Sequence, residues 1–359
     1  MKIAQVAPLY ESVPPKLYGG TERVVSYLTE ELVRQGHDVT LFASGDSITR
    51  AKLRPVCERA LRLEGKKVID PLAHHIRMLA MVAEEAADFD IIHFHIDYLH
   101  FPVTRHLNLS ALTTLHGRLD IPDLAPIYQD FWDMNLVSIS NAQRAPISWA
   151  NWIGNVYHGL PDDLYTPTMT PGTYLAFLGR ICPEKGVDRA IEIAIRANIP
   201  IKIAAKVDAV DREYFDSKIR KLFDHPLVEY VGEIGERQKE EFLGNAHALL
   251  FPIDWPEPFG LVMIESMACG TPVIAYPMGS VPEIIDEGAT GFMVNSIEEA
   301  VKAVDKIQSF NRAACRRAFN NRFSARRMAL DYIEVYQRVL GLSGTGPTID
   351  ADDDLALAS

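Results

Sequence analysis

The chain reads as an α/β protein made of two doubly wound, Rossmann-like halves. Three observations predict this. Short β-branched runs alternate with amphipathic stretches, the series starts afresh near Tyr174, and the segment between the two series is rich in proline, threonine and aspartate.

The first series of expected strands covers residues 3–7, 39–43, 91–95, 112–115, 137–139 and 155–157. Alternation of this kind is the mark of a parallel sheet crossed by helices. The second series covers 174–178, 201–205, 228–231, 248–251, 273–276 and 291–294. After the first strand, Gly19-Gly20 opens a helix over 21–35 that Gly36 closes. Residues 160–172 carry the composition of a linker. A last helix over 324–340 has Met328, Tyr332, Val335, Tyr336 and Val339 at helical spacing, a stripe that must be buried somewhere. Residues 341–359, with Asp352, Asp353 and Asp354, have little to pack and read as a disordered acidic tail. The domains are therefore expected at 1–165 and 172–322.

With 359 residues, 48% hydrophobic and 23% charged, the chain has the composition of a soluble globular protein. No run approaches the roughly 20 apolar residues of a spanning helix. Residues 1–8 form too short an apolar stretch for a signal-peptide core, so a cytoplasmic protein starting at Met1 is expected. The formal charge of −12 argues against nucleic acid as the main partner. Locally the balance reverses: between Arg50 and Lys67 lie seven cations and two acids. That stretch is either a solvated helix face or a docking patch for an anionic membrane or acceptor. Cys57, Cys182, Cys269 and Cys315 are scattered and read as reduced thiols. His93, His95 and His100 have only Asp97 near them in sequence, so no metal site is expected.

The segment from Glu257 to Gly270 places two carboxylates, Glu257 and Glu265, around the start of an otherwise apolar helix. Burying Glu265 unpaired would cost several kcal/mol, and a ligand's hydroxyl groups would serve as its partners. Pro256 and Pro258 restrict the entry, leaving Phe259, Gly260 and Leu261 at the first turn with free N–H groups. Arg180 and Lys185 follow the strand at 174–178, where two cations suit the charge that grows on a diphosphate leaving group. Gly19 and Gly20 either let a ligand approach a helix N-terminus or merely form a tight turn. The dinucleotide fingerprint is absent there, which argues against a nicotinamide enzyme. His116 follows a strand of the first half and could donate to a sugar oxygen.

Together these residues resemble glycosyltransferase family 4, and in particular its bacterial, glycolipid-forming members. The E-x7-E pattern from Glu257 to Glu265 carries the likeness, with the run 267–275, Gly279 to Glu283 and Gly288 to Gly291 extending it over residues 1 to about 340. The resemblance implies the GT-B fold, two facing Rossmann-like domains with a cleft, and sugar transfer with retention of anomeric configuration. It implies a nucleoside diphosphate sugar donor, with UDP as the expected nucleotide, and no metal or other cofactor. Arg180 and Lys185 would bind the diphosphate, Glu265 the ribose, Glu257 and His116 the sugar, and Gly20 the phosphates from the other domain. The N–H groups of Phe259, Gly260 and Leu261 would hold sugar hydroxyls and phosphate, and the last helix would cross back onto the first domain. Lys206 stands where many relatives have a glycine-containing turn, and His158-Gly159 where Asn-Gly is common. The acceptor is open, with a membrane lipid such as diacylglycerol and peripheral membrane binding among the expectations. The rival readings are a sugar-nucleotide epimerase on the same fold and a non-catalytic nucleotide-sugar or glycan-binding protein.

Overall fold

The computed structural model describes residues 1–16, 18–63 and 68–342. Glu64, Lys66 and Lys67 of the basic stretch lie outside the described residues, as does the expected acidic tail beyond Leu342.

Two all-parallel sheets form the molecule. The first contains β1 (Lys2–Val6), β2 (Asp38–Ala43), β3 (Lys52–Pro55), β4 (Ile91–Phe94), β5 (Ala111–Thr114), β6 (Leu136–Ser138) and β7 (Trp152–Asn155) in the order β3-β2-β1-β4-β5-β6-β7. The second contains β8 (Tyr174–Arg180), β9 (Ile201–Lys206), β10 (Val228–Gly232), β11 (Ala246–Phe251), β12 (Val273–Ala275) and β13 (Gly291–Met293) in the order β10-β9-β8-β11-β12-β13. In each, the chain begins in the middle and winds outward first to one side and then to the other. That reversal, between β1 and β4 and between β8 and β11, opens a crevice at the carboxyl ends of the strands.

The helices form where apolar residues recur on one face. In Gly20–Arg34 the buried set includes Val24, Val25, Leu28 and Leu32, and in Ile297–Ile307 it is Ala300, Ala303, Val304 and Ile307 behind a Ser296 N-cap. The last helix, Ala325–Val339, returns to the first domain and packs against Gly20–Arg34. Its stripe of Met328, Tyr332, Val335 and Tyr336 is fully buried. Arg338 donates to the Ile153 carbonyl at 2.8 Å, which fixes the crossing at β7.

Two expectations need correction. The basic stretch is not a helix face: Lys52–Pro55 is an edge strand, in which Leu53 packs inward while Lys52 faces solvent. Three of its cations are paired, Arg50 with Glu30, Arg54 with Glu85 and Arg62 with Glu11. The strand expected at 155–157 lies three residues earlier, because Tyr157 leaves the sheet to donate to Glu283 of the second domain at 2.9 Å. The segment expected as a linker joins the two sheets and is pinned along its length. Arg316 binds the Tyr165 carbonyl at 2.8 Å, Arg312 binds that of Thr168 at 2.6 Å, and Thr168 N–H donates to Cys269 at 3.0 Å.

Candidate active site

The carboxyl ends of both sheets border a cleft of about 790 Å³. An adjoining pocket of about 170 Å³ extends it between the second domain and the Tyr18–Arg23 segment of the first. Gly19, Gly20, His116, Arg180, Lys185, Glu257, Phe259, Gly260 and Leu261 line the cleft. Lys206 and Glu265 line the pocket, which shares Gly19, Gly20 and Leu261 with the cleft. Eleven residues singled out between Gly19 and Glu265 thus meet in one place because each ends or follows a strand at the same edge of its sheet, or lies in the first turns of the helix beyond.

The loop after β11 turns sharply into the helix Leu261–Ala268, whose N-cap, Gly260, has φ +80°. Met263, Ile264 and Met267 are wholly buried, each worth about 1.5–3 kcal/mol of apolar burial, and they anchor the helix so that its first N–H groups face the cleft end. Gly279 makes the loop possible. Its φ is +58°, and a Cβ there would stand 2.3 Å from the Glu257 nitrogen. Glu257 is held through one oxygen: Trp255 Nε1 donates to Oε2 at 3.0 Å, and Lys185 Nζ pairs with the same atom. The first domain also touches this loop, Ser140 Oγ donating to the Pro258 carbonyl at 2.6 Å.

The cations facing the cleft are balanced by carboxylates. Arg180 reaches Asp211 at 3.4 Å and Asp208 at 3.6 Å. Lys206 pairs with Asp208 at 2.9 Å and lies over the Tyr18 ring at 3.9 Å. Burial works against the Arg180 charge, but Cys182 and Asp211 outweigh it and raise its pKa above the ordinary arginine value. An anion entering the cleft meets side chains that can swing from carboxylate to phosphate without desolvating a new charge.

Glu265 departs from the expectation that ligand hydroxyls alone would satisfy it. It is 3% exposed, and Lys239 donates to its Oε1 at 2.7 Å. Lys239 lies 3.6 Å from Glu236, which in turn pairs with Arg23 of the first domain and accepts from the Tyr165 hydroxyl. Burial lowers the Lys239 pKa and Glu265 opposes it. The sequence offered no sign of this partner: Lys239 sits in the polar helix Glu236–Gly244, 26 residues before Glu265. The Glu265 carboxylate also borders the pocket.

The first-domain wall is a cluster of histidines. His116 Nε2 is 2.9 Å from His95 Nδ1, and the His116 ring stacks on His158 with centroids 5.3 Å apart. Burial lowers the pKa of His116 to about 3 and of His95 and His158 well below the ordinary value. Neutral imidazoles, not imidazolium ions, therefore face the cleft. His93 and His100 were expected as strand and loop residues and are so placed, His93 in β4 and His100 just before the helix Phe101–Leu107. Among the described residues no cluster of histidine, cysteine, aspartate and glutamate could hold a metal ion. Nor is any helix among them long and apolar enough to cross a membrane.

Comparison with known proteins identifies this architecture. Residues 18–156 match the family described as Glycosyltransferase Family 4, and residues 169–322 match Glycosyl transferases group 1. The chain belongs to this family of two-domain glycosyltransferases. It is 24% identical over 316 residues to the N-acetyl-alpha-D-glucosaminyl L-malate synthase of Bacillus anthracis, covering 77% of this chain and 80% of that one. It is 30% identical over 170 residues to an uncharacterized 41.2 kDa protein in the cps region of Klebsiella pneumoniae, a match spanning 45% of this chain and about half, 46%, of the relative. Sucrose-phosphate synthase from Thermosynechococcus elongatus has the same fold, with TM-score 0.77 at 20% identity over 96% of this chain and all of the other. So does the Anabaena protein HepE in complex with UDP and glucose, with TM-score 0.71 at 16% identity over 93% of this chain and 98% of that one. The fold is GT-B.

Proposed function

We propose that the protein transfers a hexose-type sugar from a nucleoside diphosphate sugar, with UDP as the nucleotide, to an acceptor hydroxyl with retention of configuration. The observation that carries this reading is the convergence of Arg180, Lys185, Glu257 and the N-terminus of the helix Leu261–Ala268 on one interdomain cleft. Arg180 and Lys185 exchange their carboxylate partners for the donor diphosphate and stabilise the charge that develops as the glycosidic bond breaks. The helix N-terminus adds its unsatisfied N–H groups and dipole. Glu257, released from Lys185, orients the sugar, and Glu265 takes the ribose in the adjoining pocket. The acceptor hydroxyl attacks the face the diphosphate leaves, a donor phosphate oxygen taking its proton.

This reading assigns the diphosphate charge to protein cations, so turnover is expected to persist in EDTA. The complex of a structural neighbour with UDP and glucose supports a uridine donor. For the acceptor, exposed Ile69, Leu72 and Ile76 stand beside the basic stretch, and Leu72 also borders the cleft. That pairing supports a lipid hydroxyl presented at an anionic membrane. A donor panel incubated with a total lipid and metabolite extract, followed by mass spectrometry, identifies both substrates. Absence of any conjugate, or an epimerised donor in its place, overturns the reading. Failure to co-sediment with anionic liposomes at low salt removes the membrane part.

A further inference from the structure

Behind His116 runs a buried chain of polar side chains that links the cleft to the returning helix. Gln5, on β1 and fully buried, is its centre. Gln5 Oε1 is 2.8 Å from His95 Nε2, and Gln5 Nε2 donates to the Tyr336 hydroxyl at 3.0 Å. The Tyr336 hydroxyl is 2.8 Å from His93 Nδ1, and His93 Nε2 is 2.7 Å from Thr114 Oγ1. Toward the cleft, His95 Nδ1 is 2.9 Å from His116 Nε2. His116 Nδ1 is then left buried with no hydrogen-bond partner among the described residues, on a side chain that borders the cleft.

A neutral imidazole has one donor nitrogen and one acceptor nitrogen, so fixing one end of this chain fixes every member. The Gln5 Oε1 atom can only accept, which puts the His95 proton on Nε2. His95 Nδ1 then accepts, so the proton of His116 is on Nε2, and His116 Nδ1 carries a lone pair. On the other arm, Gln5 Nε2 donates to Tyr336, Tyr336 donates to His93 Nδ1, and His93 Nε2–H donates to Thr114. Each atom of the chain finds a role with no conflict. Turning the Gln5 amide over reverses every bond, so the polarity of the whole chain rests on the one amide that is held between β4 and the returning helix.

We infer that Gln5 is a positioning residue that sets the tautomer of His116, leaving Nδ1 as an acceptor for a hydroxyl bound in the cleft. His116 therefore accepts a hydrogen bond, where the sequence suggested that it donates one. The identity of that hydroxyl as a donor sugar's rests on the proposed function; the tautomer does not. A sugar with a hydroxyl at the contacted position is selected over one with an acceptor-only fluorine there, because two acceptors facing each other leave both unsatisfied.

The test is long-range proton–nitrogen correlation NMR on the full chain labelled with 15N-histidine, with His116→Asn to assign the signal. His116 is expected as the Nε2–H tautomer; an Nδ1–H tautomer or an imidazolium at neutral pH overturns the inference. Gln5→Met is expected to give His116 mixed tautomers, whereas Gln5→Glu, which keeps an acceptor toward His95, retains the Nε2–H form. An unchanged His116 signal in Gln5→Met removes the role of Gln5, and if that variant does not fold, the wild-type tautomer still decides. In titrations, Gln5→Met is expected to weaken UDP-glucose about twofold, the inverse of the competent tautomer's share in an even mixture, while UDP binds as before. Should wild-type protein bind neither, the nucleotide-sugar reading fails and the tautomer result stands by itself.

Discussion

At Glu265 a carboxylate is nearly sealed from solvent, and Lys239 at 2.7 Å is what makes that burial tolerable. Removing one member of such a pair leaves the other uncompensated, at a cost of about 3–5 kcal/mol. Lys239→Met is therefore expected to lower the thermal midpoint sharply. Glu265→Gln should cost less, since Lys239 keeps Glu236 within 3.6 Å; calorimetry of the two variants separates them. At Lys185 the prediction concerns rate. Its ammonium already faces Glu257 and the cleft, and Lys185→Ala is expected to lower donor turnover by about 10²–10³-fold, as loss of one charge-stabilising group does, with the melting temperature little changed. Glu257→Gln should likewise reduce turnover while retaining nucleotide binding; retained turnover would remove Glu257 from the chemistry.

The loop between β11 and the helix Leu261–Ala268 depends on close approach of a second backbone. Gly279 lies against Pro256 and Glu257 with φ +58°, so Gly279→Ala strains its own conformation and displaces the carboxylate at once. The expected result is about 1–3 kcal/mol of destabilisation together with loss of donor turnover, both from one methyl group. At the same scale, the motif holding Glu257 and Glu265 was legible in the sequence because its parts are local. Two prolines, a glycine and an apolar helix sit within one short stretch, and the spacing alone places the acids at a helix start. The relay behind His116 was not legible, since Gln5 and Tyr336 lie 331 residues apart and the apolar stripe that holds Tyr336 says nothing of what its hydroxyl meets. Edge strand β3 escaped for a different reason. A four-residue strand rich in Lys and Arg has the composition of a solvated surface, and only pairing with β2 reveals its register.

Across the whole molecule, His93, His95, His100 and His158 are buried and His116 borders the cleft, and all five are neutral histidines. Burial lowers the pKa of His100 and His116 from the ordinary histidine value of 6.5 to about 3. An unfolded chain takes up these protons near pH 6.5 and the native one does not, so U binds more protons and stability falls as the pH drops through that window. Each such histidine contributes up to about 1.4 kcal/mol per pH unit. The chain is expected to lose stability steeply between about pH 6.5 and 3, a loss that denaturant titrations at stepped pH will register. A flat profile across that range would mean that the cluster is solvated.

The two domains are joined by the pinned linker, the returning helix and polar contacts such as Glu283 with the Ala142 N–H at 2.7 Å. The sequence by itself determined the two-sheet architecture, the restart near Tyr174, a last helix with a stripe to bury and the two acids around a helix start, because periodicity and short motifs are encoded between near neighbours. Tertiary structure alone decided that Lys239 partners Glu265, that the cleft cations are already neutralised by Asp208, Asp211 and Glu257, and that His116 is wired through His95 to Gln5. Those pairings form only when strand ends distant along the chain are brought to one edge, where burial removes water as the competing partner and each polar atom must find another.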